Sequence, residues 1–434
     1  MTNSLSTPVS RSGPNPWWVG TVCGMATFVD GAALTGVTIA LVLYQMSIGL
    51  TPDQVGVLTA ALTLGVAVGS LLGGRLGDRL GRRKVFLGTM VLIVLGAGLP
   101  VLSTGFPLLL AGIGMLGLGV GADLPVALAT ISESANDTNR GKIIVFSNIL
   151  GGCGIAAAVL VGIFFGGSGL LGGQIMFAMF AVVALVTLVL RLSIPESASW
   201  LQARAERRQG ITTIRADKVD IRDLWHPPYR RPFVTLVLFY SLTTVAVSVA
   251  GTFGTYVAVN VAHLDIQQFS TVSLVALPLS ILASLWFMRV ADTALRMPYF
   301  VVGAVTVVVA NLIPVAFGFT FLTLIGSTLL SVVGGAFCFE TIMKVWTQES
   351  FPVMLRATAQ GTVYAIARFC AAGLAVVTPA LLLWNPSGLY LAVAVVAAIG
   401  LTIGWLGFRR NARNEFDHEQ ELDPAAVAVA GTTV

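Results

Sequence analysis

The sequence predicts an all-α membrane protein: about twelve transmembrane helices in two pseudo-symmetric six-helix halves. Three observations lead there: a scarcity of charge, apolar runs that recur along the whole chain, and a charge pattern that returns half a chain later. Of 434 residues, 56% are hydrophobic and 10% charged, whereas ordinary soluble domains carry roughly 25% charged residues. So little charge cannot clothe a water-facing surface of this size. A net charge of +5 would point a soluble protein toward nucleic acid. Here no such partner is expected, because the charge is arranged for a bilayer.

A membrane-crossing helix needs about 20 apolar residues. Such runs occur at 17–45, 52–74, 84–102, 107–132, 142–166, 173–192, 232–261, 266–288, 298–317, 320–347, 357–383 and 388–408; these are spans 1 to 12. They set the expected organisation: an N-terminal tail (1–16), a first bundle (17–192), a central linker (193–231), a second bundle (232–408) and a C-terminal tail (409–434). The linker is rich in Arg, Asp and Glu and contains His226-Pro227-Pro228.

Along this topology no Lys or Arg falls in an outward-facing loop. The positive-inside rule then predicts both termini and the linker to be cytoplasmic, with the bundle in the inner (plasma) membrane. Residues 1–16 are polar, so span 1 is expected to act as its own insertion signal. Trp17 and Trp18 stand where interfacial aromatic anchors belong. Cys23, Cys153, Cys338 and Cys370 all lie within spans. They lack metal-ligand spacing and read as small packing residues. No phosphate-binding loop appears, so ATP is not expected to drive the protein, and no cofactor or metal is expected.

The halves share more than their number of spans. After span 2 comes Gly74-Arg75-Leu76-Gly77-Asp78-Arg79-Leu80-Gly81-Arg82-Arg83-Lys84, and after span 8 comes Asp292-Thr293-Ala294-Leu295-Arg296. Each keeps an acid and a base four apart. After span 4, Glu133 precedes Arg140 by seven residues; after span 10, Glu349 precedes Arg356 by seven. Both matches are offset by about 215 residues, the mark of an internal repeat.

These residues resemble the major facilitator superfamily over nearly all of 17–408. The loop Gly74 to Lys84 is similar to that family's signature between its second and third helices, with Gly77 in place of a small Ala or Ser. Within the superfamily, Pro195-Glu196-Ser197 with Trp200-Leu201, and Glu133 to Arg140-Gly141, resemble sugar porters. The run Lys344-Val345-Trp346-Thr347-Gln348-Glu349-Ser350-Phe351-Pro352, continuing through Arg356 to Gly361, resembles bacterial transporters assigned to myo-inositol. Three departures stand out. Helix 7 reads Tyr240-Ser241-Leu242-Thr243-Thr244 without the usual Gln pair. Helix 4 lacks its early Arg between Leu110 and Gly114. The helix 5 Gln is replaced by Asn148. The resemblance implies rocking halves and a gate built from Gly74, Asp78, Arg79, Gly81, Arg82, Arg83, Glu133 and Arg140, with Asp292, Arg296, Glu349 and Arg356 as their echo.

An ionisable side chain at bilayer depth is a functional candidate by default. Asp30 lies about 13 residues into span 1, roughly 20 Å along a helix. Asp123 stands at similar depth, ten residues before Glu133. With no basic residue expected beside them, the two acids read as a proton site, since leaving water favours the protonated carboxyl. In the second half, Glu340 and Lys344 have ion-pair spacing, and Gln360, Tyr364 and Arg368 form one helical stripe. Asn148, Glu340, Lys344, Tyr364 and Arg368 are therefore the candidate solute contacts; a closed Glu340–Lys344–Arg368 network is the structural alternative. Thr244, Ser248, Gly251, Thr255 and Asn260 on helix 7, with Trp346 and Trp384, are weaker candidates.

The expected function is proton-coupled uptake of a small polar metabolite, a polyol or sugar such as myo-inositol, by a monomer whose partners are solute, protons and lipid. An organic-acid symporter or an exporter of the same fold are the alternatives. No nucleophile, metal cluster or cofactor motif suggests an enzyme.

Overall fold

A computed structural model describes residues 14–136, 138–208, 221–252, 257, 261–262 and 266–409. The first half holds α1 (Pro16–Ile48), α2 (Pro52–Leu80), α3 (Arg82–Val101), α4 (Phe106–Ser134), α5 (Arg140–Phe165) and α6 (Leu170–Arg191). The linker contributes α7 (Ala198–Arg208). The second half holds α8 (Arg230–Thr252), α9 (Ile266–Val290), α10 (Arg296–Phe317), α11 (Phe321–Cys338), α12 (Glu340–Ser350), α13 (Arg356–Trp384) and α14 (Pro386–Phe408). Nine helical stretches among the described residues are long and apolar enough to cross a membrane, and Val275–Val290 is a shorter apolar helix.

Local sequence sets the ends of these helices. Asn15, Thr51, Thr320 and Asn385 each accept a backbone amide of the first turn, and Thr51 forms a reciprocal capping box with Gln54. Pro follows the cap in α1, α2 and α14, where its missing N–H costs nothing. Gly49, at φ 72°, closes α1 in the left-handed region.

Span 10 departs from expectation. It is two helices rather than one, interrupted at Phe339 (φ −111°, ψ −119°). The Phe339 ring stacks on Tyr240 at 5.5 Å, and Glu340 becomes the first residue of α12.

Within the first half, α1 packs on α5 and α6, and α4 on α2 and α3; within the second, α10 packs on α11 and α14, and α8 on α13 and α14. The halves meet through α2 against α13 and α5 against α9, the pairing a two-fold repeat requires. The first contact is intimate. A Cβ on Gly74 would strike the Ala357 carbonyl, and one on Gly361 the Ser70 carbonyl. At the end of the bundle that carries the linker and the basic loops, hereafter the basic end, one apolar core runs across both halves. It joins Phe86, Ile131 and Ile143 to Phe233, Trp346 and Phe351. Valines and leucines such as Val182, Val302 and Leu391 stay exposed on the outer surface, as a bilayer-facing surface demands.

Candidate functional site

At the basic end the two halves are clasped by buried polar groups. Asp78, the last acid of α2, accepts hydrogen bonds from both the amide and the hydroxyl of Thr358, each at 2.6 Å. Thr358 lies in the first turn of α13, where unsatisfied amides and the helix dipole favour an anion. The second half mirrors this: Asp292 accepts from the amides of Gly141 (2.6 Å) and Lys142 (2.9 Å) in the first turn of α5. Each half thus caps a helix of the other.

Arg82 sits at the centre of the clasp, 1% exposed. Its guanidinium pairs with Asp78, and with Glu133 at 2.7 Å, and donates to the Val353 carbonyl of the other half at 2.7 Å. Arg356 reaches the same Glu133 at 4.0 Å, and Ser132 donates to Gln348 at 3.0 Å. Arg140 turns back to the Ser132 carbonyl. Arg296 pairs with Glu349 at 2.7 Å. The echo in sequence is thus also an echo in pairing: Asp78 and Asp292 each cap a helix of the other half, and Arg82–Glu133 matches Arg296–Glu349. Among the described residues the Asp78–Arg82 bond has no counterpart between Asp292 and Arg296.

Gly81 adopts φ 105°, a conformation L side chains rarely take, and a Cβ there would collide with Glu196. Glu196 accepts from the amides of Arg82 (2.7 Å) and Arg83, so it caps α3 from the far side of α6. Trp200 donates to the Asp78 carbonyl at 2.9 Å and packs on Val353 and Met354. Arg79 and Arg83 point outward and are exposed. Neither Glu196 nor Trp200 stood among the candidate site residues. Their signal was the sugar-porter-like string they form, whose job became visible only in three dimensions.

Midway along the bundle lies a second cluster. Lys344, with no exposed surface, donates to Glu340 at 2.7 Å and across the halves to Asn148 at 2.9 Å. Tyr364 donates to the same Glu340 oxygen. The side chain of Glu340 stays 23% exposed, at the first position of α12. Tyr364 lies against Tyr240, ring centroids 5.3 Å apart. Arg368 approaches Asp30 of the first half at 3.8 Å and lies 5.7 Å from the Tyr364 ring. Among the described residues, Asp30 Oδ1, Arg368 Nε and the buried hydroxyls of Ser241 and Thr244 have no hydrogen-bond partner. The five candidate solute contacts thus gather in one place, joined by Asp30. They form a network that crosses the halves rather than closing within the second.

Two expectations are corrected. Asp123 has a base beside it. Arg191, from the end of α6, grips both its oxygens, with Nη2 to Oδ2 at 2.8 Å, and Thr89 donates at 2.9 Å. The Arg191 guanidinium also stacks on Phe86 at 4.4 Å. Asp123 therefore turns toward α3 and α6, inside the first half, and forms no site with Asp30. The sequence hid this because Arg191 stands at the end of span 6, 68 residues from Asp123, and no spacing along one helix relates the two. Asp30 also has a basic neighbour, Arg368, but from the opposite half. Trp346 is 1% exposed and stacks on Phe408 at 4.3 Å, so it belongs to the core. Trp384 is 83% exposed at the far end. Ser248, Gly251, Thr255 and Asn260 lie outside the residues whose side chains are described.

Two helix bundles, joined by mirrored caps at one end and enclosing a polar cluster at mid-depth, define a two-fold membrane transporter. The chain belongs to the Major Facilitator Superfamily, which it matches over residues 23–379. It is 27% identical over 351 residues to the minor myo-inositol transporter IolF of Bacillus subtilis (strain 168), covering 79% of each chain. It is 26% identical to the putative niacin/nicotinamide transporter NiaP of the same organism, over 66% of this chain and 69% of that relative. The fold matches the proton:xylose symporter XylE bound to 6-bromo-6-deoxy-D-glucose, with a TM-score of 0.72 at 18% identity, covering 90% and 94% of the two chains. It also matches FucP in its outward conformation, with a TM-score of 0.70 at 15% identity, covering 90% and 97%. The protein is a multi-pass membrane transporter, not an enzyme.

Proposed function

We propose that the protein imports a small polyhydroxylated solute, a polyol such as myo-inositol or a sugar, together with protons. The basic end faces the cytoplasm, in accord with the positive-inside rule.

The observation that carries the solute class is the mid-bundle cluster. Its accessible charged groups are the Glu340 carboxylate, a pure acceptor, and the Arg368 guanidinium, a pure donor, both about equally open. Together they fit the hydroxyls of a polyol, which donate and accept. Nearby, Asp30 Oδ1 and Arg368 Nε lack partners. Thr244, one turn from Tyr240 on α8, also leaves its hydroxyl unpaired. A ring of hydroxyls satisfies such groups, which are costly when buried unpaired. An organic acid fits less well. Lys344 is enclosed and engaged by Glu340 and Asn148, Arg368 faces the Asp30 carboxylate, and the open Glu340 carboxylate repels an anion. The likeness to a myo-inositol transporter supports the same choice.

Coupling rests on Asp30. Arg368 faces it most closely, with Glu340 and Lys344 farther off. An ionised Asp30 holds Arg368, and thereby the second half; a protonated one releases it. Proton binding then favours one arrangement of the halves over the other, as coupling requires.

The test is uptake into proteoliposomes of labelled myo-inositol, xylose, nicotinamide and a carboxylic acid, with and without an inside-alkaline pH gradient. Gradient-driven accumulation of a polyol or sugar is expected. Selective accumulation of the carboxylic acid, or uptake indifferent to the gradient, defeats the reading.

A further inference from the structure

A cleft of about 360 Å³ opens on the outer surface of the second half, between α10 and α14, away from the polar cluster. Its walls are apolar: Phe300, Ala304, Val305 and Val308 from α10, Leu401 and Trp405 from α14. The volume falls within the ~300–1,000 Å³ of small-molecule sites. Val305 is 57% exposed, so the cleft faces the bilayer and not the core.

Helical periodicity places charge at its mouth. Arg296, Phe300, Ala304 and Val308 form one i, i+4 stripe; Leu401, Trp405 and Arg409 form another. Both arginines therefore stand directly beyond the apolar walls, at the basic end. The Arg409 guanidinium lies 4.6 Å from the Trp405 ring, and the residue is exposed. Arg296 is partly open although paired with Glu349. The exposed Arg230 and Arg231 begin α8, which packs on α14, and Thr235 touches Gly407 near the mouth. Arg296 and Arg409 thus stand at the mouth, and Arg230 and Arg231 lie at the same end on the helix packed beside it.

An apolar slot at hydrocarbon depth, with cations at headgroup depth, matches a molecule with an acyl chain and an anionic head. We propose that this cleft binds one anionic phospholipid, its chain between α10 and α14 and its headgroup on Arg409 and the neighbouring arginines. Basic pockets between transmembrane helices recognise anionic headgroups in this way. The back wall links the lipid to transport: Phe300 packs on Trp346 of α12 at 5.1 Å, and α12 carries Glu340 and Lys344.

The experiment is native mass spectrometry of the purified full chain, titrated with phosphatidylglycerol and phosphatidylcholine of identical acyl chains. Preferential binding of one phosphatidylglycerol is expected. Arg409→Gln should weaken it about fivefold while leaving phosphatidylcholine unchanged. Val305→Trp, which fills the slot from the bilayer side, should weaken both. Thermal unfolding of each variant checks that it is folded. In wild-type protein, phosphatidylglycerol with brominated chains should quench Trp405 fluorescence, isolated by difference from Trp405→Phe. Equal binding of the two lipids, undiminished phosphatidylglycerol binding by folded Arg409→Gln, or absent Trp405 quenching overturns the proposal. So does a wild-type dimer that Val305→Trp dissociates, since a second copy would then fill the cleft.

Discussion

Asp30 and Arg368 face one another from opposite halves of the bundle, Oδ2 to Nη2 at 3.8 Å. An acid and a base so divided respond to the separation of the halves, and their ionisation acts back on it. Asp30→Asn keeps the shape and removes the charge. The expected result is loss of pH-driven accumulation with solute exchange retained. Accumulation by Asp30→Asn under an inside-alkaline gradient would falsify the coupling role.

The cap that Asp78 places on α13 is expected to hold the basic end shut. Hydrogen bonds to charged groups contribute about 1.5–3 kcal/mol each, enough to move a two-state population roughly tenfold or more. Asp78→Asn and Asp292→Asn should both shift the protein toward opening at the basic end. Transport should fall while solute binding persists. Spin labels near the basic ends of α4 and α12 report the change; an unaltered distance distribution in both variants rules the gate out.

For Asp123 a structural outcome is expected. Arg191→Met leaves a buried carboxylate without its ion pair, a loss of about 3–5 kcal/mol. Expression and thermal stability should drop, and adding Asp123→Asn should restore most of both. A double variant that folds well and retains pH-driven uptake confirms a scaffold role; one that folds well and has lost only coupling returns Asp123 to the proton path.

Tyr364→Phe removes one donor from Glu340 and leaves the aromatic packing on Tyr240 in place. Solute affinity should fall about tenfold, the scale of one hydrogen bond to a charged group, with little change in melting temperature. Glu340→Gln should fall further, since it also strips Lys344 of its counter-charge. Isothermal titration with the transported solute separates the two. Equal affinities across wild type and both variants would place the solute elsewhere.

Much of this architecture was legible in the sequence because bilayers impose a coarse rule. A span needs length and apolarity, and basic loops betray one end. The repeat made the mirrored caps legible too, since Asp78 and Asp292 fall at matching offsets. What escaped was pairing. Two acids at one depth looked like partners, yet Asp123 turns to Arg191 and Asp30 to Arg368, because direction around a helix depends on neighbours that no single span encodes. The break at Phe339 was hidden for a similar reason. An unbroken apolar run says how far a segment extends, not whether stacking on Tyr240 turns it out of the helix midway.

The mirrored caps give the molecule a clock that can be read without any solute. The amides of Gly141, Lys142 and Thr358 have their acceptors on the other half, so they meet water only while the halves are apart. Their deuterium uptake measures the time the protein spends open at its basic end, residue by residue, and both sides of the repeat should keep the same time.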